Sequence, residues 1–431
     1  MHHSPVSLAA YWRLVRDNRN FRLLWLAQIV SELGDWFYAI AIYSLLLELT
    51  GSAKSIAVAY VLQVLPQVFV APAAGVVNDR MSRKRVMILT DLARAGIVFC
   101  MIWVRSPSLV WAIYVLLLLE TVMWAFFEPG RSAVVPVIAR EHELLAANAL
   151  ASITWSFNLA IGASLGGLVA ALLGRNTVFV INAISFLGSA ALLRAMSFPE
   201  THLSKTRPFR LRELTDFSPF FEGARYMVRD RRRLATVLVK AGLGLMGTNW
   251  VLLPIFGEKI FPVRSERFDS RQAGMLGMSL LMGSRGVGAL IGPLAAGYCL
   301  GRESGRLRLG ILLGFLAGAA GYLALSAAPS LAGACAAVIL AHAGGSTIWV
   351  FSTTLLQEQT EDRYRGRVFS SDYALHCLVV SAVTYLAGFS IDLGVGVRTM
   401  AALTGLLTLL PAVLWLMAQR FWRETRPAPH S

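Results

Sequence analysis

Twelve long apolar runs follow one another along this chain, and they limit its fold more than any other feature. They lie at about residues 22–48, 55–77, 86–104, 108–128, 146–172, 177–197, 234–257, 272–299, 308–327, 331–355, 369–393 and 399–419. A helix needs about 20 apolar residues to cross the hydrocarbon core of a bilayer. Because that core offers no water to backbone amides, such a segment spans it as a helix. The runs therefore predict an all-α integral membrane protein with twelve transmembrane helices.

The composition excludes an ordinary soluble domain. Hydrophobic residues make up 56% of the chain and charged residues 15%, and the mean hydropathy is +0.59. Globular chains usually carry about 25% charged residues. The four cysteines lie far apart in apolar runs, which predicts neither a metal site nor a disulfide framework. We find no catalytic or phosphate-binding motif, so we expect no enzyme activity and no cofactor.

The formal net charge of +15 could suggest a nucleic-acid partner, but the positions of the basic residues argue against it. Most Lys and Arg residues lie in one alternating set of loops, which the positive-inside rule places in the cytoplasm. An even number of spans then puts both termini on that side. The sequence predicts a multi-pass protein of a bacterial-type cytoplasmic (inner) membrane, with anionic lipid headgroups rather than nucleic acid as partners.

The N-terminus shows no cleavable signal peptide. Arg13, Arg16, Arg19 and Arg22 lead straight into a full-length span, so we expect that span to be retained. Residues 1–20, with apolar positions interleaved with arginines, are predicted as a cytoplasmic interfacial segment on the inner leaflet.

Ionisable residues inside the spans are the first candidates for a functional site. Glu32 and Asp35 lie three residues apart, so they share one helix face. Glu120 lies near the middle of the fourth span and Arg285 in the eighth. Each carboxylate at such depth costs roughly 2.5–3.5 kcal/mol on insertion scales, so it faces a cavity, is paired or is protonated. We predict Asp35 as the leading proton-coupling residue, with Glu32 and Glu120 as the next candidates. Arg285 either tunes these acids, binds an anionic substrate group, or forms a structural ion pair.

Aromatic and amide side chains within the spans are candidates for lining a substrate cavity. Rings of this kind can stack on an aromatic or amphiphilic ligand. The predicted substrate-lining residues are Trp36, Trp124, Asn158, Asn249, Trp250 and His376. For His376 a hydrogen-bonded packing role and a proton-relay role both remain open.

The turn between the second and third spans is short and basic. Gly75 is predicted to let helices approach closely. Asp79 and Arg80 can pair with neighbouring helix ends, while Arg83 and Lys84 hold the turn in the cytoplasm. This stretch resembles the signature loop of the major facilitator superfamily, Gly-x-x-x-Asp-Arg-x-x-Arg-Arg/Lys, and matches it at all five positions. The resemblance implies a cytoplasmic gate.

Four further charged residues are assigned to the same gate. Asp91 and Arg94 are three apart in the third span, and we place them in the charge network of the basic turn. Arg367 and Asp372 stand at the start of the eleventh span. Asp372 suits a helix N-terminus, which favours negative charge, and it is a plausible partner for the turn's arginines.

The second half of the chain repeats the first. Gly34-Asp-Trp36 is echoed by Gly247-Thr-Asn-Trp250, and Pro72-Ala-Ala-Gly75 by Pro293-Leu-Ala-Ala-Gly297. Paired halves of this kind are how many transporters build a site at their interface. The predicted organisation is a segment 1–20, a six-helix bundle 21–198, a cytoplasmic linker 199–233, a second six-helix bundle 234–420 and a cytoplasmic tail 421–431.

Several other stretches resemble the branch of this superfamily that includes macrolide-efflux proteins and the enterobactin exporter. They are Phe21–Gln28, Leu49–Ser52, Phe127–Ser132, Ala147–Ala149 and Gly366–Val368. One departure concerns Gly162–Gly167, where Ala163 replaces the proline that drug:proton antiporters carry. The small residues there favour close helix packing.

This resemblance implies two pseudo-symmetric six-helix bundles and proton-driven export by alternating access. We therefore expect a monomeric secondary transporter that exports a small amphiphilic molecule, such as a drug-like compound, a macrolide or a siderophore, in exchange for protons. A lipid or lysophospholipid transporter of the same fold is an alternative. A non-transporting membrane receptor or sensor is an alternative of another class.

Overall fold

The computed structural model describes residues 8–201, 203, 211–301 and 303–423, which are mostly helical and contain no β-strand. The α-helices are α1 Leu8–Asp17, α2 Arg19–Thr50, α3 Ala53–Arg80, α4 Arg83–Cys100, α5 Val110–Ile138, α6 Leu144–Leu173, α7 Arg175–Arg194, α8 Ser218–Val228, α9 Arg231–Leu243, α10 Asn249–Ile255, α11 Ser270–Leu300, α12 Ser304–Ala327, α13 Leu331–Glu358, α14 Arg365–Asp392, α15 Val397–Ala418 and α16 Arg420–Arg423. Twelve helical stretches among the described residues are long and apolar enough to cross a membrane. Each contains most of one predicted run, so the all-α, twelve-span prediction is confirmed.

Local sequence signals set several helix ends. Asn18 caps α2 by accepting a hydrogen bond from the backbone N–H of Phe21 at 3.0 Å. The helix ends at Gly51, whose φ of +63° lies in the left-handed region that glycine adopts without strain. In the basic turn, Ser82 caps α4 by accepting from the N–H of Arg85 at 3.2 Å.

The seventh span, Arg231–Ile260, is interrupted twice. After α9 the chain forms a 3₁₀ turn over Gly244–Thr248, and after α10 it forms a π turn over Phe256–Ile260. Such departures from α geometry often occur at functional sites. The sequence analysis placed one helix here and did not predict either interruption.

The chain divides into two compact units. The first unit contains Met1–Gly51, Leu62–Asp216 and Pro262–Ser279, and the second contains Ser52–Val61, Phe217–Phe261 and Leu280–Ser431. Each unit therefore takes one short segment from the other half of the sequence. The predicted domain boundaries, 21–198 and 234–420 among them, stay a prediction.

Glycines in α6 bring this helix close to α2, a partner that the predicted close packing of Gly162–Gly167 did not specify. A Cβ atom added to Gly162 would lie 2.7 Å from Cβ of Trp36, and one added to Gly166 would lie 2.5 Å from Cα of Phe37. The helices therefore touch backbone to backbone, which leaves no space for a larger residue. The close packing that we predicted for this stretch is confirmed.

The outward faces of the helices expose large apolar side chains, as a lipid-embedded protein requires. In α15, Leu406, Leu407, Leu410 and Leu414 are each more than half exposed. A soluble protein rarely leaves such a continuous apolar surface in water. These side chains are suited to contact with hydrocarbon.

Some predicted features lie outside the described residues. They are residues 1–7 of the interfacial segment, most of the stretch 202–210 in the linker, and the tail from residue 424. The described part of the N-terminal segment contains the short helix α1, on which Trp12 is exposed. Its place on the membrane remains a prediction.

Candidate functional site

Arg94 on α4 gathers three carboxyl groups in the first compact unit. Its Nη2 lies 2.8 Å from Oδ2 of Asp35 on α2 and 3.2 Å from Oε1 of Glu120 on α5. Its Nη1 lies 3.7 Å from Oδ1 of Asp91, one helical turn earlier on α4. We call these four residues the Arg94 cluster. It joins two predicted proton-coupling residues to two residues that were assigned to the gate.

Helix α7 completes the surroundings of the Arg94 cluster. Ser189 donates to Oδ2 of Asp91 at 2.6 Å, and Asn182 donates from Nδ2 to Oδ1 of Asp35 at 3.5 Å. The guanidinium carbon of Arg94 lies 4.0 Å from the centre of the Phe186 ring. Gly34 allows this approach, because a Cβ there would lie 2.3 Å from Oδ1 of Asn182. The sequence analysis missed these α7 residues, although neutral polar side chains within an apolar span were a usable signal.

The Arg94 cluster is desolvated on one side and accessible on the other. The side chains of Arg94 and Asp91 are 3% and 0% exposed, whereas that of Asp35 is 29% exposed. A single guanidinium cannot balance three ionised carboxylates in surroundings of low dielectric constant. The cluster can therefore bind or release a proton at a carboxyl group, with Asp35 as the most accessible of the three.

Asp91 and Arg94 were predicted to belong to the gate network of the basic turn. Their contacts in the structure do not support that assignment. Arg94 lies eleven positions after Arg83, which corresponds to roughly 16 Å along a helix axis. At that depth its guanidinium reaches the mid-span acids Asp35 and Glu120 instead of Asp79 or Arg80. Helix rise explains the difference, because side chains pair with neighbours at their own depth.

Glu32 belongs to a separate polar network in the same unit. Its two carboxylate oxygens accept hydrogen bonds from Nε2 of Gln28 at 2.8 Å and Nδ2 of Asn158 at 3.1 Å. Arg131 donates to Oε1 of Gln28 at 3.3 Å and forms a two-pronged ion pair with Glu128. The structure thus brings together Glu32 and Asn158, which were predicted independently. Gln28, which links Glu32 to Arg131, was missed.

Aromatic side chains stand beside this network. Trp36 and Trp155 form an edge-to-face pair with ring centres 6.0 Å apart and an interplanar angle of 76°. Trp36 and Trp124 are both half-buried. Their role in lining a substrate cavity stays a prediction.

In the second compact unit, Lys240 on α9 pairs with Asp372 on α14. Lys240 donates from Nζ to Oδ2 of Asp372, and both side chains are almost fully buried, at 5% and 1% exposed. The ammonium also lies 4.7 Å from the centre of the Trp349 ring. Asp372 was predicted as a partner for the arginines of the basic turn, and its described partner is Lys240 instead.

Nδ1 of His376 lies 3.0 Å from the carbonyl oxygen of Lys240, a packing role of the kind left open for this histidine.

Arg285 and Trp250 also lie together in the second unit. The guanidinium carbon of Arg285 is 3.7 Å from the centre of the Trp250 ring, a cation–π contact.

Asn249 stands where the sequence repeat places the counterpart of Asp35, and it donates from Nδ2 to the carbonyl oxygen of Met246 at 2.6 Å. Because an amide replaces the carboxylate, the second unit cannot repeat the Arg94 cluster at this position.

The basic turn contacts helix ends through Arg83 and Lys84. Such pairing was predicted for Asp79 and Arg80, which pair instead with Arg83 and Glu213. Arg83 donates to the carbonyl oxygens of Asn78 and Ala133, each at 3.2 Å, and lies 3.7 Å from Asp79. Lys84 donates from Nζ to the carbonyl oxygen of Met196 at 2.6 Å. These carbonyls stand near the C-terminal ends of α3, α5 and α7, where positive charge is favourable.

Two other gate residues find partners in the linker region. Arg80 pairs with Glu213 in the 3₁₀ turn Leu211–Thr215. Arg367 lies 2.7 Å from Oε2 of Glu222 on α8. Neither partner was predicted, and the gate role of these residues remains a prediction.

The predicted close approach of helices at Gly75 is wrong for this structure. A Cβ added there would meet nothing within 4 Å. The close contact between α3 and α5 occurs at Gly130, where a Cβ would lie 2.5 Å from Oδ1 of Asn78. Asn78 faces α5 and donates to the carbonyl oxygen of Phe126 at 2.9 Å, so it sets the approach.

The described residues contain no group of three or more His, Cys, Asp or Glu side chains that could hold a metal ion. The acids of the Arg94 cluster surround a guanidinium, which occupies the position that a cation would take.

Comparisons with known proteins place this chain in a family. A family model described as transmembrane secretion effector matches residues 12–419. Macrolide efflux protein A of Streptococcus pyogenes is 25% identical over 410 residues, which cover 94% of this chain and 95% of that protein. The MFS-type transporter YfiS of Bacillus subtilis (strain 168) is 29% identical over 181 residues, or 42% of this chain, and this match spans only 43% of YfiS.

Solved structures agree on the fold. The crystal structure of a POT family transporter matches 95% of this chain and 97% of its own, with a TM-score of 0.71 at 10% sequence identity. At this identity the likeness concerns the arrangement of helices alone. It confirms the predicted fold class.

Proposed function

Because the chain belongs to the transmembrane secretion effector family of the major facilitator superfamily, and is thus a multi-pass membrane transporter, we propose that it exports a small amphiphilic molecule in exchange for protons. Transport proceeds by alternating access, in which the protein exposes its site to one side of the membrane and then to the other. The protein lies in a bacterial-type inner membrane with both termini on the cytoplasmic side, and it acts as a monomer.

The observation that carries this proposal is the Arg94 cluster. It sets one guanidinium against the carboxyl groups of Asp35, Asp91 and Glu120 within 3.7 Å, in buried surroundings. Ionisable groups inside a membrane bundle are costly and therefore mark ion pathways and proton relays. A purely structural ion pair needs one acid for one base. The surplus of acids here supplies exchangeable protons.

Asp35 is the residue through which the proton enters and leaves. It is the most exposed acid of the cluster and is held directly by Arg94. A proton on Asp35 weakens its bond to Arg94, and the guanidinium then moves its charge toward Glu120 and Asp91. Coupling requires that this change and substrate binding bias the same equilibrium between two conformations.

The Glu32 network supports the substrate side of the proposal. Glu32 and Asn158 present a carboxylate and an amide next to the helix positions of Trp36 and Trp155. Polar groups beside aromatic rings suit a ligand with both polar and apolar parts. The similarity to macrolide efflux protein A over 94% of the chain makes a macrolide the first substrate to test.

The test is transport of a radiolabelled macrolide into inside-out proteoliposomes with an imposed pH gradient. We expect uptake when the lumen is acidic and none after the gradient is collapsed with a protonophore. Uptake that does not depend on the pH gradient would refute proton coupling. Movement of a fluorescent lysophospholipid in the same vesicles, independent of the gradient, would favour the lipid-transporter alternative.

A further inference from the structure

Trp250, predicted to line the substrate cavity, has both faces of its indole ring covered in this structure. Tyr60 stacks on the ring with centres 4.4 Å apart and an interplanar angle of 23°. The guanidinium carbon of Arg285 lies 3.7 Å from the ring centre. Two groups at these short distances must lie on opposite faces, because they would collide on the same one. The indole is therefore sandwiched between a phenol and a cation.

Tyr60 reaches Trp250 from a segment that belongs to the second compact unit although it begins α3. This segment is Ser52–Val61, and the remainder of α3 from Leu62 belongs to the first unit. Pro66 follows inside the helix and has no N–H to bond the carbonyl oxygen of Leu62. One helical hydrogen bond is thus missing where the helix passes from one unit to the other.

Helix α14 holds the start of this segment. Asp392 accepts hydrogen bonds from the hydroxyl of Ser52 and from the backbone N–H groups of Ala53, at 2.7 Å, and Lys54, at 3.2 Å. It acts as the N-terminal cap of α3 although it lies 340 residues away from Ser52. Gly388 allows the contact, since a Cβ there would lie 2.7 Å from Cβ of Ala57.

The backbone of the seventh span departs from α geometry before and after the short helix that carries Trp250. The 3₁₀ turn Gly244–Thr248 precedes it and the π turn Phe256–Ile260 follows. The carbonyl oxygen of Met246 accepts from the hydroxyl of Tyr322 at 3.1 Å, and that of Gly247 accepts from the hydroxyl of Thr384 at 2.9 Å, beside their bonds from the backbone N–H of Asn249. Interrupted helices of this kind form the binding sites of many transporters.

We propose that Trp250 is the stacking platform for an aromatic ring of the substrate, and that Tyr60 occupies this platform as a tethered competitor. The inference rests on the proposed transport function and selects, among the small amphiphilic molecules proposed there, those with a planar aromatic group rather than a macrolide, whose lactone ring is aliphatic. Substrate binds when Ser52–Val61 leaves the platform, so that the ring of the ligand replaces the ring of Tyr60. In this structure the segment is clasped by Asp392, and the platform is closed.

Arg285 determines which aromatic groups the platform accepts. The guanidinium on one face of the indole repels a second cation on the other face, since the indole ring between them screens the charges less than water would. A neutral or anionic ring experiences no such repulsion. The platform therefore favours an uncharged or anionic aromatic group over an aromatic cation.

The experiment measures binding to the purified full chain in lipid nanodiscs without a pH gradient. The probes are 1-pyrenesulfonate and 1-pyrenemethylammonium, which share a ring and differ in charge, and protein-free nanodiscs correct for partition into lipid. Aromatic pairs contribute about 0.5–1.5 kcal/mol, so loss of the competitor in Tyr60→Ala raises the affinity for 1-pyrenesulfonate about 2- to 12-fold. Tyr60→Phe, which keeps the stacked ring, retains the affinity of the native chain.

Two further variants fix the interpretation. In Trp250→Ala the gain from Tyr60→Ala disappears, because the platform is absent. If Tyr60→Ala does not fold, Asp392→Ala releases the clasp and gives a gain in the same direction. An unchanged or lower affinity in a folded Tyr60→Ala or Asp392→Ala variant overturns the proposal. Equal binding of the two probes overturns the role of Arg285.

Failure of this inference is distinguishable from failure of the proposed function. Binding is measured without a gradient, so Asp35→Asn combined with Tyr60→Ala retains the gain in affinity whether or not protons drive transport. A gain in affinity together with gradient-independent transport would support Trp250 as the stacking platform and would refute proton coupling.

Discussion

Nη2 of Arg94 lies 2.8 Å from Oδ2 of Asp35, and this contact joins the third membrane span to the first. The same nitrogen reaches Oε1 of Glu120 at 3.2 Å, so two acids from different helices share one donor. A change in the charge of either acid therefore alters the bond to the other. This sharing is the physical basis on which proton binding could be communicated between helices.

Asp35→Asn is expected to abolish transport driven by a pH gradient while substrate exchange continues. The amide keeps the size of the side chain but cannot bind the transported proton. We expect at least a tenfold loss of gradient-driven uptake in proteoliposomes, with counterflow of the same substrate close to that of the native protein. The matched control is Glu303→Gln, which neutralises a largely exposed acid paired with Arg306. Gradient-driven uptake that survives in Asp35→Asn would remove Asp35 from the coupling role.

Arg94→Met is expected to destabilise the first compact unit strongly. Removing one partner of a buried charge pair typically costs about 3–5 kcal/mol, because the remaining charges stay desolvated. Chemical unfolding in mild detergent measures the change. Combining Arg94→Met with Asp91→Asn should recover part of the loss, since one fewer acid then stays uncompensated. If the single variant is as stable as the native chain, Arg94 does not hold the cluster together.

The Lys240–Asp372 pair is expected to behave as a unit. Lys240→Met and Asp372→Leu should each lower the free energy of unfolding by about 3–5 kcal/mol when made alone, because each leaves a buried charge without its partner. The double variant should be much closer to the native stability, since it replaces the pair by apolar side chains. The double-mutant cycle gives the coupling energy directly. Additive losses would show that the two residues act independently.

Gly166→Ala and Gly75→Ala form a contrasting pair. A methyl group at Gly166 would lie 2.5 Å from the backbone Cα of Phe37, which cannot move aside without shifting α2. Overpacking of this kind costs about 1–3 kcal/mol. At Gly75 a methyl group meets open space, so we expect no loss of unfolding free energy there. The same unfolding measurement compares both variants, and equal losses would contradict the packing seen at α2 and α6.

Much of the fold could be predicted from the sequence, and part of the candidate site as well. The twelve spans followed from apolar length, and the close packing of α6 followed from the small residues at Gly162–Gly167, although its partner α2 did not. Mid-span acids were found because charge is rare in hydrocarbon. The partners of those acids were not found. Asp91 and Arg94 were grouped with the basic turn because it is nearby in sequence, whereas their partners are set by depth along α4.

The sequence by itself determined that this chain is a twelve-span membrane protein and which of its residues are too polar to face lipid. Transfer into a bilayer depends mainly on the composition of each segment, and composition can be read one segment at a time. Only the tertiary structure decided that Arg94 serves three acids, that Lys240 rather than an arginine holds Asp372, and that Tyr60 covers Trp250. Such pairings depend on the rotation and depth of each helix against its neighbours, and packing between segments distant in the chain sets both.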